Sequence, residues 1–584
     1  MKIIVQKLKL RTVWPYIVII VAALIVCYPS LHLGVGYGDD LIFHIYRYHS
    51  VIDGLKDHQL LPQLDPWAVN GFGHSWNLFY GPLSAYLVTA LRFVTPSWAV
   101  AVNTFIIISV IASGIFMYRF IMDVSKRRLL GVFAAILFMT APYHMTDIYV
   151  RQAHGELLAF VFIPIVFHGL YKIIHRSGGR ALTIVGLTGL LLSHNLSTMM
   201  VVLFAAMYAA LNIRRIIPNF KEFVKSTCIV LLFVVGLTSF FTLPMLEAKA
   251  TGVYNIFDKT FAANYMGMSA KHLESWSLTA HQLIVNPNPV RTTLDVMPFA
   301  LGGITIVSLV VFLLSIKLIP KKERSFVISM FCLGLVALIF TTKLIPWSVL
   351  PHAVYAIQFP WRFLMLADFF FAIAGAYGIY FASHYVFKRL RISQYLPLLI
   401  IPLLIACVAS SHDILSFGQS RSRWDGTYSY SDDISAPILG ISGNEYAPRD
   451  KAAIGNRVEN RIPAYLRQNG RQPAFLDGAG TIGDYSRVGS HAQFSVKVVA
   501  NKAAAIILPD FYYPGYQASI VLANGSTKQL VVSCSDKGFL TLHLAPTDNG
   551  VIHVKYGTSK ATAAGVLITV MTLISAFIVI RRRK

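Results

Sequence analysis

Residues 36–50 read GYGDDLIFHIYRYHS and follow directly on the first hydrophobic run of the chain. An acid pair, Asp39 and Asp40, therefore stands just outside a membrane. If residues 38–50 coil into a helix, Asp40, His44 and Arg47 recur at i, i+4 and i+7 and share one face. A carboxylate, an imidazole and a guanidinium on one face can do polar chemistry beside lipid. The same residues also suit a plain helix start, with Asp39 as N-cap and Asp40 as a first-turn acid favoured by the helix dipole. The placement of the chain's other polar groups decides between the two.

With 584 residues, 55% of them hydrophobic and only 13% charged, and a mean hydropathy of +0.59, the chain is a polytopic α-helical membrane protein. Apolar runs of roughly spanning length fall near 13–33, 98–121, 129–144, 156–174, 181–193, 196–213, 226–245, 294–316, 325–342, 360–386, 395–411 and 561–580. They predict about twelve transmembrane helices, 129–144 and 181–193 being short. Segment 82–95 is apolar but fits no crossing and reads as a re-entrant or interfacial helix. The basic N-terminus and first run read as an uncleaved first span.

The formal charge of +24 would point to nucleic acid in a soluble chain. With the N-terminus inside, segments 1–12, 122–128, 172–180, 214–225, 317–324, 387–394 and 581–584 are cytoplasmic and hold 25 Lys and Arg against three acids. The rest carries 26 basic and 24 acidic residues and is nearly neutral. The excess charge is thus a positive-inside signal, a nucleic-acid partner loses its support, and both termini are expected in the cytoplasm with the large loops outside. Cys27, Cys228, Cys332 and Cys407 lie in apolar runs and Cys534 in an outer region, so no disulfide framework is implied.

On this topology the polar constellations gather on the outer side. The first outer loop continues as LPQLDPWAVNGFGHSWNLFY, residues 61–80, in which Trp67, Trp76 and Tyr80 form either a sugar-stacking platform or an interfacial aromatic belt. Residues 142–156, PYHMTDIYVRQAHGE, place His144, Asp147, Arg151, His154 and Glu156 around a short loop between two spans. They are candidate substrate contacts, although Arg151 and Glu156 also make a natural pair beside hydrocarbon. Ser193, His194 and Asn195 read as a capping turn. The 246–293 loop, with NPNPVR at 286–291, is long enough to cover a site. In QFPWRFL, residues 358–364, Arg362 sits one turn into a span, where it can anchor phosphate or snorkel to headgroups. Asp368 reads more plainly as one half of a buried pair with an Arg or Tyr of another helix.

Residues 412–560 break the hydrophobic pattern. Alternating segments such as FSVKVVA, KQLVVSC and VIHVKYG, separated by glycine turns, predict a small extracytoplasmic β domain, sandwich-like, near 490–556. The expected organisation is a membrane domain over 1–411, this outer region, and a last span with a basic tail over 561–584.

The pieces GDDLIFHIYR, FGHSWNLFYGPL, YVRQAHGE, QFPWRFL, NEYAP and FYYPGY together resemble the bacterial membrane proteins related by name to 6-pyruvoyl-tetrahydropterin synthase. More loosely they resemble YfhO-like and other GT-C glycosyltransferases. The resemblance implies a GT-C-like helical fold, a bacterial plasma-membrane location and a polyprenyl-phosphate sugar as donor, with a cell-envelope glycopolymer or lipid as acceptor. It makes Asp39 and Asp40 the acidic motif of the first outer loop and puts Arg151 and Arg362 in motifs that suit the donor phosphate. His44, Arg47 and Tyr80 are further candidate contacts. Inverting transfer needs a carboxylate to take the acceptor's proton and cations for the leaving phosphate. No cofactor is required by the sequence, and a divalent metal, if used, would fall on Asp39 and Asp40. The rival readings are a polysaccharide or lipid transporter or flippase, and a non-catalytic scaffold that holds envelope polymer through its β domain.

Overall fold

Each of the twelve apolar runs contains a helix in the computed structural model, which describes residues 2–285, 297–427, 444–451, 458–499, 502–546 and 548–581. Among the described residues seven helices are long and apolar enough to cross a membrane, and eight if the bent pair Arg128–Met139 and Pro142–Arg151 makes one span. The other four runs form shorter apolar helices at Thr12–Val26, Arg180–Ser193, Asn195–Leu211 and Gly303–Leu318, so helix length alone does not give the expected count of twelve crossings. Segment 82–95 holds only the ten-residue helix Leu83–Arg92. The NPNPVR segment lies outside the described residues.

The chain divides into two units, the first made of residues 1–41, 90–234 and 270–427. Among its helices of spanning length the most enclosed is Pro360–Arg389, which packs on Gly303–Ser315, Lys321–Phe340 and Arg128–Met139. Close approach depends on glycine: a Cβ on Gly378 would stand 2.5 Å from the Phe312 nitrogen. Helices His154–Ile174 and Arg180–Ser193 pack the same way, Gly186 lying against Val166 and Gly189 against Phe162.

The run expected at 129–144 is a broken span. The helix stops at Met139, restarts at Pro142 after a 45° bend and ends in a π-turn, Asp147–Arg151. Proline at the restart has no N–H to join the preceding turn. The Asp368 carboxylate accepts the N–H groups of Tyr143 and His144, which the break leaves without helical partners. Asp368 therefore caps a broken helix inside the bundle, where the sequence had suggested a pair with an Arg or Tyr. Removing this acceptor by Asp368→Ala is expected to cost about 1–3 kcal/mol. Asp368→Asn keeps a carbonyl and should retain most of the stability in a thermal unfolding series.

The second unit comprises residues 42–89, 235–269 and 428–584. Eight antiparallel strands form its sheet: β1 Ala474–Asp477, β2 Gly480–Val488, β3 His491–Val498, β4 Ala504–Phe511, β5 Tyr516–Leu522, β6 Thr527–Cys534, β7 Phe539–Leu544 and β8 Gly550–Tyr556. The order is β1-β4-β7-β6-β5-β8-β3-β2, a single barrel-like sheet in place of the expected sandwich, with two strands ahead of residue 490. Those two were hard to read because β1 and β2 bury little and lack a clean apolar alternation. Pro509 falls where the pairing of β4 with β7 shifts register, as a strand proline without a donor does.

Several of the aromatic motifs are core in this unit. Phe511 donates its N–H to the Phe72 carbonyl at 2.7 Å, and the Tyr513 hydroxyl meets His74 Nδ1 at 3.1 Å. Tyr446 stacks on Phe79 at 5.3 Å. Trp76 is 1% exposed and stacks on Tyr46, which excludes it from any platform or belt. Helix Lys560–Arg581 lies against residues 235–251, where Thr569 accepts the Phe240 N–H and donates to the Gly236 carbonyl.

Candidate functional site

The first unit contains a charge cluster centred on Arg151. Its Nη1 donates to Asp147 Oδ1 at 2.5 Å, to Glu156 Oε2 at 2.8 Å and to the Tyr143 hydroxyl at 3.1 Å. Nη2 faces Asp40 Oδ2 at 3.6 Å, and the guanidinium lies over the Trp361 ring at 4.8 Å. The Tyr143 hydroxyl also donates to Glu156 Oε1 at 2.7 Å. Arg362 approaches the same carboxylate, its Nε 3.7 Å from Glu156 Oε2. Its Nη1 is fixed by the Ile357 carbonyl and Gln358 Oε1, both at 2.9 Å.

Local backbone explains why these groups converge. The π-turn advances Arg151 past Asp147 and is closed by the Ala153 N–H on the Asp147 carbonyl at 3.1 Å. Gln152 then takes a left-handed conformation, φ 55°, which starts the helix carrying Glu156. The acid pair is docked on this turn through its backbone. Asp39 N–H donates to the Val150 carbonyl at 3.2 Å and Asp40 N–H to the Arg151 carbonyl at 2.7 Å. A Cβ on Gly38 would stand 2.8 Å from the Val150 oxygen and run into the Gln152 side chain, so glycine permits the approach.

Exposure separates the members. Asp147, Glu156 and Arg151 are at most 3% exposed, whereas 43% of the Asp40 side chain is open. Asp39 is exposed as well. Although both side chains reach solvent, the protein packed around them thins their hydration, and this desolvation raises the Asp40 carboxyl above the usual carboxylate range, opposed by Arg151 and Arg362. Asp39 is pushed up to about 6, by the same desolvation first and then by the Asp40 charge, against Arg151 and Arg421. A raised carboxyl binds its proton more tightly folded than unfolded. Asp39 thus favours the fold at low pH, and that contribution is lost as pH rises toward about 6.

The structure reassigns several expected residues. Positions 144–156 are not a surface loop: His144, Asp147, Arg151, His154 and Glu156 are all buried, because their charges pair internally and the helix runs on through Arg151. His144 stacks on Phe160 at 4.0 Å with Nδ1 toward the Phe138 carbonyl, a core placement. His154 Nε2 meets Gln152 Oε1 at 2.8 Å and holds the turn. His194 caps Asn195–Leu211, as read. The helix after the acid pair is Leu41–Lys56. In the second unit Arg47 is buried, donating to the Gly81 carbonyl at 2.6 Å, meeting His44 Nδ1 at 3.2 Å and lying over Tyr80 at 4.2 Å. Arg47 with His44 and Tyr80 thus forms a packed group.

Arg151, expected at a phosphate, is engaged by three carboxylates and orients them. Three acids converge on a guanidinium, and among the described residues no group of three His, Cys, Asp or Glu is placed to hold a metal ion. Sequence reading passed over Tyr143, Trp361 and Gly38, neutral members of motifs judged by their charges. It also passed over Arg421, whose Nη1 donates to the Tyr37 carbonyl. That arginine lies in SRSRWDG, where nothing in the spacing singles it out.

Comparison with known proteins places the cluster in context. Residues 78–414 match the 6-pyruvoyl-tetrahydropterin synthase related domain, a membrane protein family. The match takes in Arg151, Glu156, Arg362 and Asp368, while Asp39 and Asp40 precede it. A chain of Lactococcus lactis subsp. cremoris (strain MG1363), described as an uncharacterized protein, is 26% identical over 596 residues, covering 97% of this chain and 94% of its own. With more than half its length matched and its bundle of apolar helices, the chain belongs to the 6-pyruvoyl-tetrahydropterin synthase related family of membrane proteins.

Proposed function

We propose that this protein is a membrane glycosyltransferase of GT-C type that moves a sugar from a polyprenyl-phosphate donor to a cell-envelope glycopolymer or lipid outside the plasma membrane. One observation carries the reading: Asp40 is the single acid of the Arg151 cluster that both faces the buried guanidinium and stays open to solvent. A carboxylate so oriented, with its proton affinity raised, suits a general base. The acceptor oxygen attacks the anomeric carbon as Asp40 takes its proton. The bond from that carbon to phosphate oxygen breaks, polyprenyl phosphate leaves with the electron pair, and configuration inverts. Arg362 supplies the cation for the leaving phosphate, and Arg151 acts as a positioning residue. Incubating the purified protein with a panel of labelled polyprenyl-phosphate sugars tests this. Failure of every donor to yield a transferred sugar, with intact envelope acceptors present, counts against it.

Asp39, pushed up to about 6, takes on its charge as pH rises through that value. A charged Asp39 beside Asp40 strengthens that base through the repulsion of the two carboxylates, so transfer should rise through about pH 6, and Asp39→Asn should flatten this limb while leaving the rate at neutral pH within about tenfold. A wild-type profile flat between about pH 5 and about pH 7 contradicts this role.

The transporter reading draws on the broken span with buried charges beside the break, a feature transporters share. It predicts movement of fluorescent polyprenyl lipid across proteoliposomes without chemical change, which the glycosyltransferase reading does not. The proposed topology has twelve crossings and both ends cytoplasmic, from the 25 inside Lys and Arg. A cysteine at Ser526, in an exposed turn of the β domain, should then be labelled by an impermeant maleimide in intact cells of a cysteine-free background. Labelling only after the cytoplasmic side is opened contradicts this orientation.

A further inference from the structure

The second unit has a cleft of about 350 Å³ that the transfer chemistry does not use. Its walls include Trp67, Asn70, Arg471, Gln472, Tyr485 and Arg487. All belong to residues 42–89 or 428–584. The volume falls in the range of small-ligand sites. We propose that this cleft binds an oligosaccharide carrying an acidic group.

Three features of the lining select that chemistry. The first is charge. Gly71, at φ 80°, has no side chain, and the point where its Cβ would stand is 3.3 Å from Arg471 Nη1 and 3.6 Å from Arg487 Nη1. Arg487 is compensated by Asp510 at 2.7 Å and spends its other N–H groups on the carbonyls of Gly489, Gly71 and Pro66. Arg471 has no ion pair among the described residues and so has a guanidinium to offer an anion, while the Asp57 carboxylate behind Gly489 is engaged by the Ser490 N–H and hydroxyl. The second is an aromatic wall. Trp67 is held by Gly489, whose Cβ point lies 3.3 Å from the indole Cζ2, and a half-buried indole gives sugar C–H groups an apolar surface. The third is an unmet hydrogen bond. The Tyr485 hydroxyl is buried without a partner among the described residues, and a buried hydroxyl left so is costly. A sugar hydroxyl in the cleft satisfies it, as the Asn70 and Gln472 amides can satisfy others.

Titration calorimetry on the full-length protein in detergent tests the proposal. The probes are a tetrasaccharide of alternating glucuronic acid and N-acetylglucosamine, and the neutral N-acetylglucosamine tetramer. The acidic probe should bind more tightly than the neutral one. Arg471→Gln, at an exposed position, should weaken the acidic probe about tenfold, the size of one charge-assisted hydrogen bond, and erase its advantage. Trp67→Ala should weaken both probes about three- to tenfold. Tyr485→Phe should preserve thermal stability and lower affinity severalfold. The proposal is overturned if wild type binds neither probe, binds the neutral tetramer as tightly as the acidic one, or loses nothing in Arg471→Gln and Trp67→Ala. The experiment reads binding and not turnover, so its failure leaves the transfer reading to its own test.

Discussion

Replacing Arg151 with methionine is expected to destabilise the protein by about 3–5 kcal/mol, the usual cost of removing one partner from a buried ion network. Methionine fills similar space but leaves Asp147 and Glu156 buried with no cation at hydrogen-bonding distance, and Asp40 without the guanidinium it faces. Arg151→Lys restores the charge but has a single nitrogen, so it cannot engage Asp147 and Glu156 with one amino group while another faces Asp40, nor lie flat over Trp361, and should recover only part of the loss. Adding Glu156→Gln to Arg151→Met should recover stability as well, because one uncompensated carboxylate is gone. The measurement is equilibrium unfolding in mixed detergent micelles. An Arg151→Met protein as stable as wild type would show that the cluster does not hold this part of the bundle together.

The bundle was legible because lipid imposes a long apolar run on every span, and each of the twelve runs read from the sequence contains a helix. The break at Thr140 and Ala141 was not: Pro142 marks a place where a helix can stop, but what makes a break tolerable inside the bundle is the Asp368 carboxylate that receives the freed N–H groups, over two hundred residues away. For the site, charge spacing found Asp40, Arg151, Glu156 and Arg362, which the fold gathers. The same spacing grouped Asp40 with His44 and Arg47, yet the helix begins only at Leu41, and Arg47 spends its donors on Gly81 and Ser84. Periodicity says which residues share a helix face, but not where the helix starts or which carbonyl will claim a guanidinium. Trp76 and Tyr80 show the same limit, since an aromatic residue reads alike in a platform, a membrane belt or a core.

The second large effect concerns Asp40. Asparagine keeps the side chain's shape and its backbone contact with the Arg151 turn but cannot accept a proton, and losing general-base help typically costs ~10²–10⁴-fold in rate. Asparagine also caps helices about as well as aspartate, so Asp40→Asn should leave stability nearly unchanged if capping is its only duty. Arg362→Lys is the companion variant: it should raise KM for the lipid donor more than it lowers kcat if the planar fork holds phosphate in the ground state. The decisive measurement is the single-turnover rate of labelled sugar transfer from a polyprenyl-phosphate donor by purified wild type, Asp39→Asn and Asp40→Asn of matched thermal stability. A loss of ~10²-fold or more in Asp40→Asn, with Asp39→Asn within about tenfold of wild type at neutral pH, is the predicted result; full transfer by Asp40→Asn contradicts the account.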